Sequence, residues 1–101
     1  MTLAERLSEL VDDSPDVTVR DGPRGFEYTR GDVVFAVHPS PDVVELRLGP
    51  EIAEAANRTP DTSASAQGEG WIRLAPTDWD DHARDRLEAW FRVAWRLAGG
   101  R

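Results

Sequence analysis

Five residues of the chain carry side chains suited to holding a ligand: His38, Glu45, Arg47, Trp71 and Arg73. A guanidinium binds a carboxylate or a phosphate through paired hydrogen bonds, and an indole ring stacks on planar or cationic groups. On one surface, these residues predict a binding site for a small anionic ligand or for a protein partner. Cross-strand charge pairing on a solvated sheet face is the alternative interpretation of the same charges.

His38 supports a second hypothesis of a different class, a small enzyme. An imidazole titrates near neutral pH, so His38 could act as a general base with help from Glu45. A turn histidine that bonds only to the backbone is the alternative. The chain has neither the G-x-S-x-G context of a serine nucleophile nor a glycine-rich phosphate loop. We therefore favour a non-enzymatic binding or interaction module.

No motif for a metal or a cofactor is present in the sequence. The two histidines, His38 and His82, lack the H-x-H and H-E-x-x-H spacings of metal sites. The absence of cysteine excludes disulfides, zinc ribbons and iron–sulfur clusters. The sequence therefore predicts neither a metal site nor a cofactor.

The charge balance limits the partners that the chain can bind. All 12 basic residues are arginines, and 19 acidic residues bring the net charge to −7. This negative charge disfavours non-specific binding to nucleic acid. No apolar run reaches the ~20 residues that span a bilayer, and no signal-peptide pattern opens the chain. We therefore expect a cytoplasmic protein without a membrane partner.

The 101 residues suit a single domain. Their hydrophobic periodicity predicts both helices and strands. The predicted elements are a helix over 2–12, antiparallel strands over 17–48, a short helix over 50–57, an exposed loop over 59–70, a strand over 71–74 and a long helix over 78–98. Their order is roughly α-β-β-β-β-α-β-α. We expect an α+β fold in which helices cover one face of an antiparallel meander sheet.

Turn residues predict how the central strands pair. Residues 31–32, a Gly-Asp pair, are typical of a two-residue hairpin turn. Pairing across this turn sets Tyr28 opposite Phe35. A four-residue turn over residues 39–42 then continues the same parity into the next strand.

This parity separates the strand residues into two faces. The residues predicted to lie beneath the helices are Phe26, Tyr28, Val33, Phe35, Val37, Val44, Leu46 and Leu48. Those predicted to lie on the outer face are Arg20, Glu27, His38, Glu45, Arg47, Trp71 and Arg73. An outward Trp71 needs a cover, which the 59–70 loop or a partner would supply.

The stretches Val33–His38, Val43–Pro50 and Gly70–Leu74, followed by a closing helix, resemble a family of small bacterial and fungal domains of unknown function. That family carries a "luciferase domain" label, and the resemblance covers about residues 15–98. Members often have two histidines at alternate positions of the third strand. His38 matches the second position, and Ala36 stands at the first. The resemblance implies a site at His38, Glu45 and the Gly70-Trp71 pair.

A looser resemblance is to MmcQ/YjbR-like domains, which also close with a tryptophan-led strand and a long helix. The carrying segments here are residues 71–74 and 78–98. Some members of that group are thought to bind DNA. The resemblance implies a nucleic-acid-binding domain as a third functional hypothesis.

Two features predict routes to a homodimer. Trp79 belongs to the apolar stripe of the last helix and Trp95 stands on its margin; if either lay outside the stripe in the folded chain, it would suit a contact between copies. An uncovered edge of the sheet is the second route, because its free backbone groups can pair with another strand.

Overall fold

The computed structural model describes residues 2–100 and folds them into three helices and six strands. The helices are α1 (Leu3–Asp12), α2 (Pro50–Ala56) and α3 (Asp81–Gly99). The strands are β1 (Val17–Gly22), β2 (Gly25–Arg30), β3 (Val33–Ser40), β4 (Val43–Arg47), β5 (Thr62–Ala64) and β6 (Trp71–Leu74). All strands pair antiparallel, in the order β1-β2-β3-β4-β6-β5. The predicted α+β class is confirmed, with β5 as one additional short strand inside the predicted 59–70 loop.

The helices cover one face of the sheet, called here the inner face. α3 lies mainly over β2, β3 and β4. At the centre, the rings of Phe35 and Phe91 meet edge to face with their centroids 5.4 Å apart. The buried cluster of this face comprises Leu3, Leu7, Leu10, Tyr28, Phe35, Ala36, Val44, Leu46, Leu48, Ala53, Ala56, Ile72, Leu74, Leu87, Phe91 and Ala94.

Both long helices begin at side-chain caps. At α1 a capping box is present: the Thr2 hydroxyl accepts from the Glu5 N–H at 3.2 Å, and the Glu5 carboxylate accepts from the Thr2 N–H at 2.8 Å. α3 begins at residue 81, later than the predicted residue 78. The reason is that Asp80 is the N-cap, accepting from the Ala83 N–H at 2.9 Å, whereas Thr77 lies outside the helix.

A β-bulge changes the predicted parity of the central hairpin. Thr29 pairs with Val34, but the next pair joins Tyr28 to Ala36, so Phe35 is an extra residue on β3. Both Phe35 and Ala36 belong to the inner cluster. The predicted pairing of Tyr28 with Phe35 is therefore wrong, although both side chains lie on the inner face. Beyond the bulge, Ala36, Val37 and His38 face the sides opposite to those predicted.

A second irregularity lies where β3 meets β4. Val37 pairs with Glu45, and the next pair joins Ser40 to Val43, so β3 again has one residue more than its partner. The irregularity includes Pro39, which has no N–H to donate to a ladder. Because Ser40 pairs with Val43, β3 continues to Ser40. The predicted four-residue turn is in fact a two-residue turn.

These shifts correct the predicted inward set. Its members within the inner cluster are Tyr28, Phe35, Val44, Leu46 and Leu48. Phe26 and Val33 are instead 49% and 36% exposed, because they lie towards the ends of their strands. Val37 is fully buried but on the outer face, since it pairs with Glu27 and Glu45.

Candidate functional site

One row of side chains crosses the face opposite the helices, called here the outer face. From one edge to the other, strand pairing places in this row Arg20, Glu27, Val37, Glu45, Arg73 and Ser63. On the same face, Arg47 of β4 pairs with Trp71 of β6. Glu45, Arg47, Trp71 and Arg73 thus occupy four adjacent positions, called here the β4–β6 block.

The β1–β2 end of the row is an internal ion-pair cluster. The Glu27 carboxylate is buried and accepts from Arg20 Nε at 2.8 Å and from an Arg24 guanidinium nitrogen at 3.3 Å. Hydrogen bonds from Arg20, and then from Arg24, hold the pKa of Glu27 below its ordinary value. Because Gly22 has no side chain, the carboxylate can lie close against its backbone. Arg20 and Glu27 are therefore engaged within the fold.

The centre of the row lies beneath residues 65–67, called here the covering segment. Glu45 Oε1 accepts from Ser65 Oγ at 2.8 Å and from Gln67 Nε2 at 3.0 Å. Gln67 also accepts from Arg24, which connects the segment to the β1–β2 turn. Glu45 is 7% exposed and Val37 0%. Part of the predicted exposed loop thus shields the middle of the outer face.

A buried arginine of α3 fixes the start of the same loop. Arg86 donates to Thr59 Oγ1 at 3.2 Å and to the carbonyl of Pro60, and its guanidinium lies 3.8 Å from the Asp61 carboxylate. The guanidinium also lies 5.8 Å from the centre of the Trp90 ring. Residues 59–61 are therefore attached to α3 before the chain enters β5.

The β4–β6 block differs from the rest of the outer face because neither of its two arginines, Arg47 and Arg73, has a partner within residues 2–100. Within residues 2–100, no side-chain hydrogen bond, ion pair or ring contact involves Arg47, Trp71 or Arg73. Arg73 is exposed, and Arg47 and Trp71 are half-buried. Arg47 and Arg73 are diagonal neighbours on adjacent strands, which are typically about 7–8 Å apart. Two guanidiniums can therefore approach one ligand here.

His38 is not on the outer face, where we predicted it. It pairs with Phe26, and its ring packs edge to face on Tyr28 of the inner cluster. His38 Nδ1 lies 3.4 Å from Tyr28 Oη, and Nε2 lies 3.5 Å from the carbonyl oxygen of Pro41. Burial lowers the pKa of His38 and raises that of Tyr28 to about 12. Both groups are therefore uncharged near neutral pH.

A groove of about 340 Å³ lies beside His38. Its lining residues are Ala4, Asp21, Gly25, Phe26, His38, Pro39, Ser40 and Pro41. Glu45 is on the opposite face, beneath the covering segment. The predicted pairing of His38 with Glu45 as an acid–base unit is therefore wrong in its geometry, because the sheet separates the two groups.

Some residues that hold the 59–70 loop in place are not among the predicted site residues. Arg86 had a signal, because it follows Ala83 by three residues and precedes Trp90 by four, which places it on the buried stripe of α3. Ser65 and Gln67 had none. Their partner lies 20 and 22 residues away, and local patterns do not encode such contacts.

Comparison of the chain with protein-family models, curated proteins and solved structures finds no match. The two family resemblances therefore stay predictions. Among the helices of residues 2–100, none combines the length and apolar character needed to cross a membrane. In the same residues, no three His, Cys, Asp or Glu side chains form a group able to hold a metal ion.

Proposed function

We propose that the protein is a non-enzymatic binding module that holds a small planar anion at Arg47, Trp71 and Arg73. The observation that carries this proposal is the pair of arginines on adjacent strands without an internal partner among residues 2–100. Each guanidinium presents a planar fork of N–H donors that matches a carboxylate or a phosphate. Two such forks on one face favour an anionic group between them.

Trp71 supports a planar shape for the ligand. It pairs directly with Arg47 and is half-buried, so part of its indole is accessible beside that arginine. It also lines an open groove of about 430 Å³ beside α2, which neither arginine lines. A flat ring stacked on the exposed part of the indole would keep its anionic group beside the two arginines.

The surrounding charge favours a small anion over an extended one. The chain carries a net charge of −7, and the other outer-face arginine, Arg20, is paired with Glu27. The positive potential is therefore confined to Arg47 and Arg73. A polyanion would place most of its charges against acidic surface.

Calorimetric titration tests this proposal with three probes: inorganic phosphate, benzoate and adenosine monophosphate. We expect the two planar anions to bind more tightly than phosphate, because only they can stack on Trp71. Replacing Arg47 or Arg73 by Ala should weaken their binding about tenfold, corresponding to about 1.4 kcal/mol. Trp71→Leu should remove the preference for planar probes over phosphate.

Arg58→Ala is the matched control, because Arg58 is an exposed arginine outside the block. It removes the same charge and should leave binding unchanged. A short DNA duplex, titrated at low salt where electrostatic binding is strongest, should give a flat titration, which also tests the nucleic-acid hypothesis. The proposal fails if none of the three probes binds, or if Arg58→Ala weakens binding as much as Arg73→Ala.

A further inference from the structure

Of the two predicted routes to a homodimer, the helix tryptophans and an open sheet edge, the structure leaves only the second open. The Trp95 indole is half-buried, donates from Nε1 to Asp16 at 2.9 Å and lies 3.8 Å beneath the Arg30 guanidinium. Trp79 packs against the inner cluster. Both tryptophans thus have partners within the chain. The remaining route is an open edge of the sheet.

The two edges of the sheet differ in their capacity to accept another strand. At one edge, β5 has three residues, and the Thr62 hydroxyl that opens it is bonded to the carbonyls of Ala56 and Thr59. At the other edge, β1 has six residues, of which the central four are exposed. Short edge strands resist pairing, whereas a long exposed edge offers a row of free backbone groups. β1 is therefore the open edge.

The pairing of β1 with β2 determines which backbone groups of β1 are free. Gly22 and Gly25 flank a two-residue turn and so form a hydrogen-bonded pair, and bonded pairs then recur at every second residue. Thr18 and Arg20 consequently bond to β2. The N–H and C=O groups of the alternate residues Val17, Val19 and Asp21 do not bond to β2. Of these groups, the Val17 N–H already donates to the Ser14 carbonyl at 3.0 Å, and the others remain open to a new strand.

We propose that β1 pairs antiparallel with β1 of a second copy, around a twofold axis at Val19. With Val19 opposite Val19, about four main-chain hydrogen bonds form, because the Val17 N–H is already bonded to the Ser14 carbonyl. Shifting the axis to Arg20 also gives about four bonds but sets the two Arg20 guanidiniums directly opposite each other, which is repulsive. Shifting it to Thr18 leaves about two bonds. The Val19 register is therefore favoured over Thr18 by the number of bonds and over Arg20 by charge.

Side chains support the same register. Val19 is 43% exposed on the inner face, although its neighbour Tyr28 on β2 is buried. Pairing at Val19 covers this side chain with its counterpart and continues the apolar row across the junction. On the outer face, Arg20 then lies opposite Thr18 of the second copy, so no like charges meet.

Sedimentation equilibrium tests the proposal at about 1 M salt, where screening minimises repulsion between two chains of charge −7. Val19→Pro removes the outward N–H and leaves the bonds between β1 and β2 intact. Val19→Thr keeps that N–H and is the matched control. We expect the wild type and Val19→Thr to form dimers, and Val19→Pro to dimerise at least about tenfold more weakly. A monomeric wild type, or equal dimerisation of both variants, would overturn the proposal.

Cysteine crosslinking tests the register, because the natural chain has no cysteine. Residues in a hydrogen-bonded antiparallel pair lie opposite each other, but their Cβ atoms are farther apart than a disulfide allows, so a short thiol-reactive bifunctional crosslinker is the suitable probe. Val19→Cys should therefore form a covalent dimer with such a crosslinker. Leu97→Cys, at a site 44% exposed in an apolar groove beside α3, should not. Crosslinking through residue 97 without crosslinking through residue 19 would assign the contact to α3 and refute pairing through β1.

Discussion

The inner and outer faces of the sheet are both buried at their centres, but by different groups. On the inner face, α1, α2 and α3 supply apolar side chains, and Phe35 packs against Phe91. On the outer face, the covering segment and its hydrogen bonds to Glu45 shield Val37. An apolar cover gains stability in proportion to its buried area, whereas a hydrogen-bonded cover gains about 1 kcal/mol per bond.

The outer face itself has two parts, which differ in whether their charged groups are paired within the chain. In the covered part, each carboxylate has donors from the chain: Arg20 and Arg24 for Glu27, and the covering segment for Glu45. In the open part, Arg47 and Arg73 have no such acceptors within residues 2–100. Internal pairing therefore occupies the charged groups of the first part, and the proposed ligand site lies in the second part.

The largest effect is expected on the inner face. Phe91→Ala should lower the free energy of unfolding by about 3–5 kcal/mol, because it opens a cavity against Phe35. Val37→Ala is the outer-face counterpart, with a fully buried residue. It should cost about 2 kcal/mol, from two buried methyl-sized groups and a smaller cavity. Urea denaturation measures both; a cost near zero for Val37→Ala would mean that water already reaches the outer face.

Two substitutions with intermediate expected effects on the free energy of unfolding compare the two parts of the outer face. Glu45→Ala should cost about 1–3 kcal/mol, because it removes the acceptor of two hydrogen bonds. Arg73→Ala, directly opposite on β6, should change stability by less than about 0.5 kcal/mol.

Hydrogen exchange locates the cause of this difference. The Gln67 amide, which donates to Ser65 Oγ at 3.0 Å, should exchange faster in Glu45→Ala and at the wild-type rate in Arg73→Ala. Unchanged exchange at Gln67 in the Glu45 variant would contradict the role given to that carboxylate.

The β4–β6 block could be predicted because its strands alternate strictly. In β4, Glu45 and Arg47 stand between buried apolar residues, and in β6 Trp71 and Arg73 flank Ile72. A one-residue slip would move apolar side chains into water, so the pattern alone determines the faces. The cap at Thr2 could be predicted for a similar reason, since its bond spans three residues.

The faces of β3 could not be predicted because residues 33–37 are apolar without interruption. Either parity buries apolar side chains, so the choice depends on tertiary packing. The observed bulge keeps Phe35 against Phe91 and turns Val37 outward. A second irregularity follows at Pro39, and the alternation of apolar and polar residues does not indicate it. His38, which follows the bulge, consequently lies on the inner face.

The smallest effect concerns this displaced histidine. Burial lowers the pKa of His38 in the folded protein, so the unfolded chain binds a proton more readily than the native one. The stability contributed by neutral His38 is complete above the unfolded pKa of about 6.5 and is lost as pH falls below it. Between pH 7.5 and 5, above the range of the carboxylates, the urea midpoint of the wild type should fall. His38→Gln should flatten this slope, and His82→Gln, which removes the other imidazole, is the control. If His38→Gln keeps the wild-type slope and His82→Gln abolishes it, the titrating group lies on α3 and not in the groove beside Phe26.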